Sequence, residues 1–146
     1  MNDQILTFEY KTQILEHHLD SFGHVNNAKY LELYEEARWD FITRNGYGLE
    51  QIRELKMGPI VLDVSCRFKR ELKNREWIKI VSKSTESKRK ILKMQQTIFK
   101  EGDIVASEAE FTFGFMDLKA RKMIEPPELW LSAVGVAPTE EAQKAD

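Results

Sequence analysis

The sequence predicts an α+β domain in which one long helix packs on an antiparallel β-sheet. Three observations support this: residues 5–15 alternate apolar and polar, residues 27–45 repeat apolar side chains at helical spacing, and from residue 58 the period returns to two. A chain of 146 residues is long enough for one domain with its own core. We expect residues 1–137 to form this domain and the polar residues 138–146 to form a disordered tail.

The first strand is predicted over residues 5–15. Phe8, Tyr10 and Thr12 alternate with Glu9 and Lys11, which is the pattern of a strand with one buried face. A loop rich in polar side chains follows this strand and leads into the helix.

The long helix is predicted from about Asn27 to Asn45. Its core-facing side chains recur at helical spacing: Tyr30, Tyr34, Ala37 and Phe41. Asn26 or Asn27 can serve as the N-cap, and Gly46 supplies a stop. A short second helix is expected at residues 49–55.

Four period-two runs follow, at residues 58–69, 77–84, 91–99 and 104–116, and short turns join them. We expect these runs to pair in chain order as a meander. In the first run one face should carry Ile60, Leu62, Val64, Cys66 and Phe68. In the last run Phe111, Phe113 and Phe115 share a face that should pack against the helix. A helical turn is possible at residues 128–132.

The composition narrows the class of protein. The formal net charge is −2, from 22 basic and 24 acidic residues, and this near balance argues against a nucleic-acid binder. The only cysteine, Cys66, allows no internal disulfide and gives no metal-type spacing. Neither a long apolar span nor a basic start followed by an apolar run is visible. We therefore expect a cytoplasmic protein that does not bind membranes.

The segment 17–30 concentrates the chemically useful side chains, because it places an acid, three histidines and two asparagines just before the long helix. A helix start presents unpaired N–H groups and a partial positive charge, so it can stabilise an oxyanion, with Asp20 as general base or nucleophile. Two other interpretations remain open. Asp20 is a turn or cap residue, or a metal is bound by His17, His18, Asp20 and His24.

A motif covers the end of this loop and much of the helix: Asp20-x-x-Gly23-His24-Val25-Asn26-Asn27-x-x-Tyr30-Leu31, followed by Glu35-Glu36-Ala37-Arg38-Trp39. It resembles the signature of the 4-hydroxybenzoyl-CoA thioesterase family, and within that family the bacterial long-chain acyl-CoA thioesterases linked to β-oxidation. The resemblance implies the hot-dog fold, a five-stranded antiparallel sheet wrapped around one long central helix. It also implies a homodimer or homotetramer with active sites at the subunit interface.

The resemblance also assigns roles to individual residues. Asp20 takes the place of the catalytic aspartate, and the backbone N–H of Asn27 takes the place of the donor that polarises the thioester carbonyl. The remaining motif residues are implied to complete the catalytic site or to contact the substrate: Gly23 and His24 in the first group, Val25 and Tyr30 in the second.

The implied activity is hydrolysis of medium- to long-chain fatty acyl-CoA to the free acid and coenzyme A, with no metal or redox cofactor. Two alternatives stay open. A hot-dog dehydratase acting on hydroxyacyl thioesters would recruit His24 or His18 opposite an acid, and a non-catalytic module would only bind acyl thioesters.

Two sets of charged residues have both an ordinary and a functional interpretation. The basic residues form either a solvated sheet face or a landing site for the phosphates of coenzyme A: Arg67, Lys69, Arg70, Lys73, Lys88, Arg89, Lys90 and Lys93. Glu35 and Glu36 are either solvated or include one interior carboxylate paired with Arg38.

Overall fold

The computed structural model describes residues 6–137. Its elements, in chain order, are β1 (Thr7–Gln13), a 3₁₀ turn (Glu16–His18), α1 (Asn27–Arg44), α2 (Leu49–Leu55), β2 (Met57–Phe68), β3 (Trp77–Lys88), β4 (Ile91–Lys100), β5 (Ile104–Asp117), β6 (Lys122–Met123) and α3 (Glu128–Ala133). The predicted tail at residues 138–146 and the first residue of the predicted first strand, Ile5, lie outside the described residues. No helix within residues 6–137 has the length and apolar character needed to cross a bilayer.

The sheet has the strand order β1-β3-β4-β5-β2, with the two-residue strand β6 added beside β5. The five predicted strands are confirmed, and β6 is an addition. The predicted pairing in chain order holds for β3, β4 and β5 but is wrong for β2, which pairs antiparallel with β5. The connection 69–76 instead crosses the end of the sheet, where Lys69 donates to the Ala106 carbonyl and Arg75 donates to that of Ile14.

Helix α1 lies in the concave face of the sheet and supplies much of the core. Tyr34, Ala37 and Phe41 are almost fully buried, and the Tyr34 ring meets Phe111 edge to face with centroids 5.8 Å apart. Phe111, Phe113 and Phe115 are all buried, which confirms that their shared face forms core. Burying side chains of this size is the main source of stability in such a domain.

Strand β2 departs from the predicted alternation because a bulge interrupts its register between Val61 and Asp63. Val61 pairs with Phe113 and Val64 with Phe111, so both side chains lie on the helix side of the sheet. The Leu62 side chain lies on the opposite face of the sheet, beside Gly114. The expectation that Ile60 and Leu62 share a face with Val64 is therefore wrong.

Strand β2 is one of the two edges of the sheet that residues 6–137 form, and β1 is the other. Val61, Val64 and Phe68 are 49%, 38% and 49% exposed, although all three face the helix side. Helix α1 covers the middle of the sheet and leaves this edge open. The functional site lies at one end of this edge.

Candidate active site

The loop before α1 is a closed turn that holds Asp20 in place. Leu19 and Val25 form an isolated β-bridge, and inside it the Asp20 N–H donates to the His24 carbonyl at 2.8 Å. Gly23 has a φ of +80°, a conformation that glycine adopts without the steric cost of a side chain. This explains why the motif needs glycine at that position.

One of the two oxygens of the Asp20 carboxylate is hydrogen-bonded within the loop itself. Its Oδ1 accepts the N–H groups of Phe22 at 2.9 Å and His24 at 3.2 Å. Its second oxygen, Oδ2, has no hydrogen-bond donor among the described residues. The turn interpretation of Asp20 is thus correct, and the arrangement also leaves one oxygen available for chemistry.

The start of α1 provides a free backbone donor next to Asp20. Asn26 is the N-cap, and its Oδ1 accepts the Ala28 N–H at 2.9 Å. Asn27 is the first helical residue, and its N–H has no acceptor within residues 6–137. At the N-terminus of an 18-residue helix this donor also benefits from the helix dipole.

Asp20 and Asn27 line the same open pocket, of about 320 Å³. One wall comes from the loop and the first turn of α1, and the other comes from the chain that follows β2. The lining residues are Asp20, His24, Val25, Asn27, Tyr30, Phe68, Lys69, Arg70 and Glu71. Of the predicted site residues, the structure therefore brings Asp20, His24, Val25, Asn27, Tyr30 and Lys69 together.

Arg70, one of the basic residues predicted as a possible phosphate site, also lines the pocket, whereas Phe68 and Glu71 were not among the predicted site residues. Phe68 meets the buried ring of Tyr30 edge to face, with centroids 4.9 Å apart. Burial raises the pKa of Tyr30, so its hydroxyl stays protonated at neutral pH. No local signal identifies this wall, because it depends on how β2 crosses the start of α1.

The histidines do not converge with Asp20 on one point. His24 Nε2 lies 3.0 Å from Glu71 Oε2, and buried His18 accepts the Leu15 N–H on Nδ1 at 2.8 Å. The His17 ring packs against that of His18, with centroids 4.1 Å apart. Within residues 6–137 no group of three or more histidine, cysteine or acidic side chains is arranged to hold a metal ion.

The predicted basic residues fall into two separate places. Lys69 reaches the Asp20 pocket while its Nζ lies 3.2 Å from Glu108, and Arg67 is exposed on the outer face of β2. Lys88, Arg89 and Lys90 form the turn between β3 and β4. That turn lies at the opposite end of the sheet, about 20 Å away at the usual rise per strand residue.

A second, smaller cavity lies between α1, β2 and α3. It has a volume of about 120 Å³, and its lining is mainly apolar, with Trp39, Val61, Phe113 and Trp130 among the contributors. Arg38 is the one basic side chain in this lining. This cavity and the Asp20 pocket lie toward opposite ends of β2.

Comparison with known proteins shows the family to which the chain belongs. Residues 15–134 match the thioesterase-like superfamily. The chain is 34% identical over 110 residues to the long-chain acyl-CoA thioesterase FadM of Escherichia coli (strain K12), an alignment that covers 74% of this chain and 82% of that protein.

Two solved structures extend the comparison to three dimensions. The probable thioesterase YbaW of Escherichia coli superposes with a TM-score of 0.76 at 28% identity, over 88% of this chain and 98% of that one. A hypothetical protein of Staphylococcus aureus, solved in complex with CoA, gives a TM-score of 0.83 at 17% identity, over 95% and 92% of the two chains.

Proposed function

The chain belongs to the thioesterase-like superfamily, has the hot-dog fold and is an acyl-CoA thioesterase, and from this premise we propose that it hydrolyses medium- to long-chain fatty acyl-CoA with Asp20 as the catalytic carboxylate. One observation carries the assignment of the site. Asp20 and Asn27 line one pocket at the start of α1. Within residues 6–137, Asp20 Oδ2 has no hydrogen-bond donor and the Asn27 N–H has no acceptor.

The two groups have complementary tasks in thioester hydrolysis. The Asn27 N–H donates to the acyl carbonyl oxygen and stabilises the negative charge that develops there. Asp20 Oδ2 either takes a proton from the attacking water or attacks the carbonyl carbon itself, giving an acyl anhydride that water then opens. Both routes release coenzyme A as the thiol and the acyl group as the free acid.

The contacts of the histidines favour hydrolysis over the dehydratase alternative. A dehydratase needs a histidine opposite an acid, but His24 is bonded to Glu71 and His18 Nδ1 is occupied by the Leu15 N–H. The proposed reaction uses neither ring as a base. It also needs no metal or redox cofactor, since a carboxylate and a backbone donor are sufficient for it.

The assignment is tested by incubating the purified protein with hexadecanoyl-CoA and a thiol-detecting dye. Hydrolysis releases one free thiol per turnover, whereas a dehydratase or a binding module releases none. A series of acyl chain lengths then measures which lengths give the highest kcat/KM. Absence of thiol release with every chain length would refute the proposed activity.

The coenzyme A head carries several negative charges, so we propose that basic side chains near the Asp20 pocket bind it. Within one subunit Lys69 and Arg70 line the pocket and Arg67 lies nearby on the outer face of β2, and the Lys88–Lys90 turn of a second subunit is the other candidate. Such exposed charges are screened over about 8 Å at physiological ionic strength. We expect KM to rise with salt while kcat stays nearly constant.

Substitutions separate the two candidate sets. Arg67→Ala with Lys69→Ala, and Lys88→Ala with Lys90→Ala, are compared with Lys119→Ala and Lys122→Ala as a control of equal charge. The set that binds the phosphates should raise KM and flatten its salt dependence. If KM and its salt dependence are the same in all three double variants as in the parent, these residues are only a solvated face.

The cytoplasmic location predicted from the sequence remains a prediction. The assembly of two or four chains is likewise still a prediction, and it depends on features of the whole molecule.

A further inference from the structure

An apolar strip connects the Asp20 pocket with the cavity that contains Arg38. On the sheet side it runs along the helix-facing side of β2, from Phe68 through Val64 to Val61. On the helix side, Trp39 lines the cavity end and is more than a third exposed. Leu31 lies eight residues earlier on α1, near the same helix face, and is exposed to the same degree. The exposed Glu35 lies between them on this face and also lines the cavity. We call the space between these two rows the β2 groove. One end touches Phe68 in the Asp20 pocket, and the other touches Val61 in the cavity.

Arg38 stands at the cavity end of this groove, and the exposed Glu35 lines the same cavity without forming an ion pair with it. Its Nη1 donates to Gln96 Oε1 at 2.9 Å, and its guanidinium carbon lies 4.3 Å from the Phe111 ring centroid. No carboxylate lies within 4.0 Å of Arg38 among the described residues. Glu35 and Glu36 are both exposed, which agrees with the solvated alternative and not with an interior pair with Arg38.

Burial lowers the pKa of Arg38 to about 10, which still leaves the side chain charged at neutral pH. A guanidinium carries five N–H donors, and Gln96 is the one side-chain acceptor that the described residues give it. The charge of Glu35 opposes this lowering of the Arg38 pKa, but no carboxylate within residues 6–137 bonds directly to the guanidinium. A desolvated charge without a directly bonded counter-ion is costly. The site therefore favours any ligand that brings an anionic acceptor.

A second donor borders the same cavity. Trp130 is 2% exposed, lines the cavity and has an indole Nε1 with no hydrogen-bond partner within residues 6–137. Buried polar groups in native proteins nearly always have partners. Arg38 and Trp130, each with N–H donors that the described residues leave unused, thus line one cavity whose walls are otherwise mainly apolar, apart from Glu35.

We propose that the β2 groove holds the acyl chain of the substrate and that Arg38 and Trp130 bind a carboxylate at its far end. The preferred substrate class is then ω-carboxyacyl-CoA, the monothioester of a long dicarboxylic acid. This inference rests on the proposed thioesterase function and names the substrate class of the same site. Arg38 is a specificity-determining residue, and the thioester is cleaved as before at Asp20.

The length of the groove suits a medium or long chain. Asn27 and Arg38 are eleven residues apart on one helix, which corresponds to about 16 Å along its axis. A chain whose carbonyl lies at the Asn27 N–H must cover this distance to reach the guanidinium. A carboxylate on a much shorter chain would stop in the apolar part of the groove, where it has no partner.

The test compares matched substrates that differ only at the far end: dodecanoyl-, tetradecanoyl- and hexadecanoyl-CoA against the corresponding ω-carboxy and ω-hydroxy compounds. In the wild-type protein kcat/KM for the best ω-carboxy substrate should equal or exceed that of its methyl-ended partner. An apolar groove without a buried cation would reject the charged end by about a hundredfold or more. A rejection of this size at all three lengths would overturn the inference, whereas loss of all thiol release would instead refute the proposed function.

The variants assign the effect to its residues. Arg38→Met should lower the ratio of ω-carboxy to methyl-ended kcat/KM by about ten- to a hundredfold, since it removes a charged hydrogen bond. Trp130→Phe should lower the same ratio a few-fold. Arg44→Met is the control, because Arg44 lies on the same helix, is exposed and pairs with Asp40.

Circular dichroism and melting temperature verify that each variant is folded. Should Arg38→Met fail to fold, the wild-type ratios and the Trp130→Phe variant still decide the question. Equal ratios in the wild type, Arg38→Met and Trp130→Phe, all folded, would contradict the inference.

Discussion

In the proposed reaction Asp20 serves both structure and chemistry. Its Oδ1 closes the loop by accepting two backbone N–H groups, and its Oδ2 has no donor within residues 6–137. A carboxylate fixed in this way loses little freedom when substrate binds, which favours reaction. Sequence alone predicted both the turn and the catalytic role but gave no means of seeing that they use different oxygens.

Replacing Asp20 by Asn should separate the two tasks. The amide Oδ1 can still accept from Phe22 and His24, so the melting temperature should change little. The base or nucleophile is lost, and kcat should fall by about 10²–10⁴. Asp117→Asn is a matched control, because Asp117 Oδ1 also accepts two N–H groups, from Lys119 and Ala120 at 3.0 Å each, far from the site. Near-normal hydrolysis by the Asp20 variant would refute the assignment.

The role of Asn27 rests on its backbone, and this makes an unusual pair of substitutions informative. Asn27→Ala keeps the N–H and should have a mild effect. Asn27→Pro removes it and should lower kcat by about 10²–10³. Proline is tolerated at the first helical position, and Asn26 already has the extended conformation, φ −65° and ψ 144°, that a following proline prefers. Equal kcat values for the two variants, both folded, would show that this N–H takes no part.

At the scale of elements, the pattern of α1 predicted its limits well, whereas that of β2 predicted its existence but not its neighbours. Period-two alternation indicates that a strand has two different faces, but it does not indicate which strand pairs with it. The pairing of β2 with β5 follows from the connection 69–76, whose backbone bonds reach Ala106 and Ile14. The bulge between Val61 and Asp63 also reversed the faces expected for Ile60 and Leu62. The residues around it give no signal that one extra residue is inserted in the strand.

The incorrect predictions of the pairing of β2 and of the faces of its side chains also limited what could be predicted of the site. Asp20, Asn27 and Tyr30 belong to one continuous motif and were found. Phe68 and Glu71 join them only through the path of β2. The Arg38 cavity was missed because Pro59 and Trp130, which help to line it, are far apart in the sequence. Tertiary contact between distant segments therefore sets the limit of the sequence-based interpretation.

The loop that carries Asp20 should respond to acid through His18. Burial, followed by the charge of neighbouring His17, lowers the pKa of His18 below its usual value of 6.5. Its neutral Nδ1 accepts the Leu15 N–H, and its carbonyl accepts that of Asn26. Below pH 6.5 the unfolded chain therefore binds a proton that the folded chain does not, and the free energy of unfolding decreases as the pH falls toward the folded pKa.

His18→Asn isolates this effect, because an amide oxygen can accept the Leu15 N–H but does not titrate. Between pH 7.5 and pH 5.5 the wild type should lose more melting temperature than the variant. His17→Asn is the comparison variant: it removes the second-largest cause of the lowered His18 pKa but keeps the burial, so its loss of melting temperature should lie between those of the wild type and His18→Asn. An identical loss in the wild type and His18→Asn would show that His18 does not contribute to the acid sensitivity.

At the scale of the whole molecule, β2 is a strand whose outer backbone groups and apolar side chains a single chain leaves uncovered. Its outer edge has no partner strand among the described residues, and its helix-side residues are partly exposed although they are apolar. Proteins normally cover or blunt such an edge, because its free N–H and carbonyl groups invite pairing. The Asp20 pocket and the β2 groove both border this edge, so a second subunit there would enclose them.

We therefore predict that two copies pair antiparallel through β2, as a dimer or a dimer of dimers, and that light scattering at micromolar concentration shows no monomer. In such a pairing the middle of β2 lies on the two-fold axis, so each Leu62 approaches that of its partner. Leu62→Glu beside Asp63 then places like charges opposite each other, which weakens the pairing. The variant should dissociate on dilution and lose activity in parallel, whereas Leu55→Glu, an equally exposed leucine on α2, should do neither. A wild-type monomer with full activity would contradict both the pairing and an active site enclosed by it.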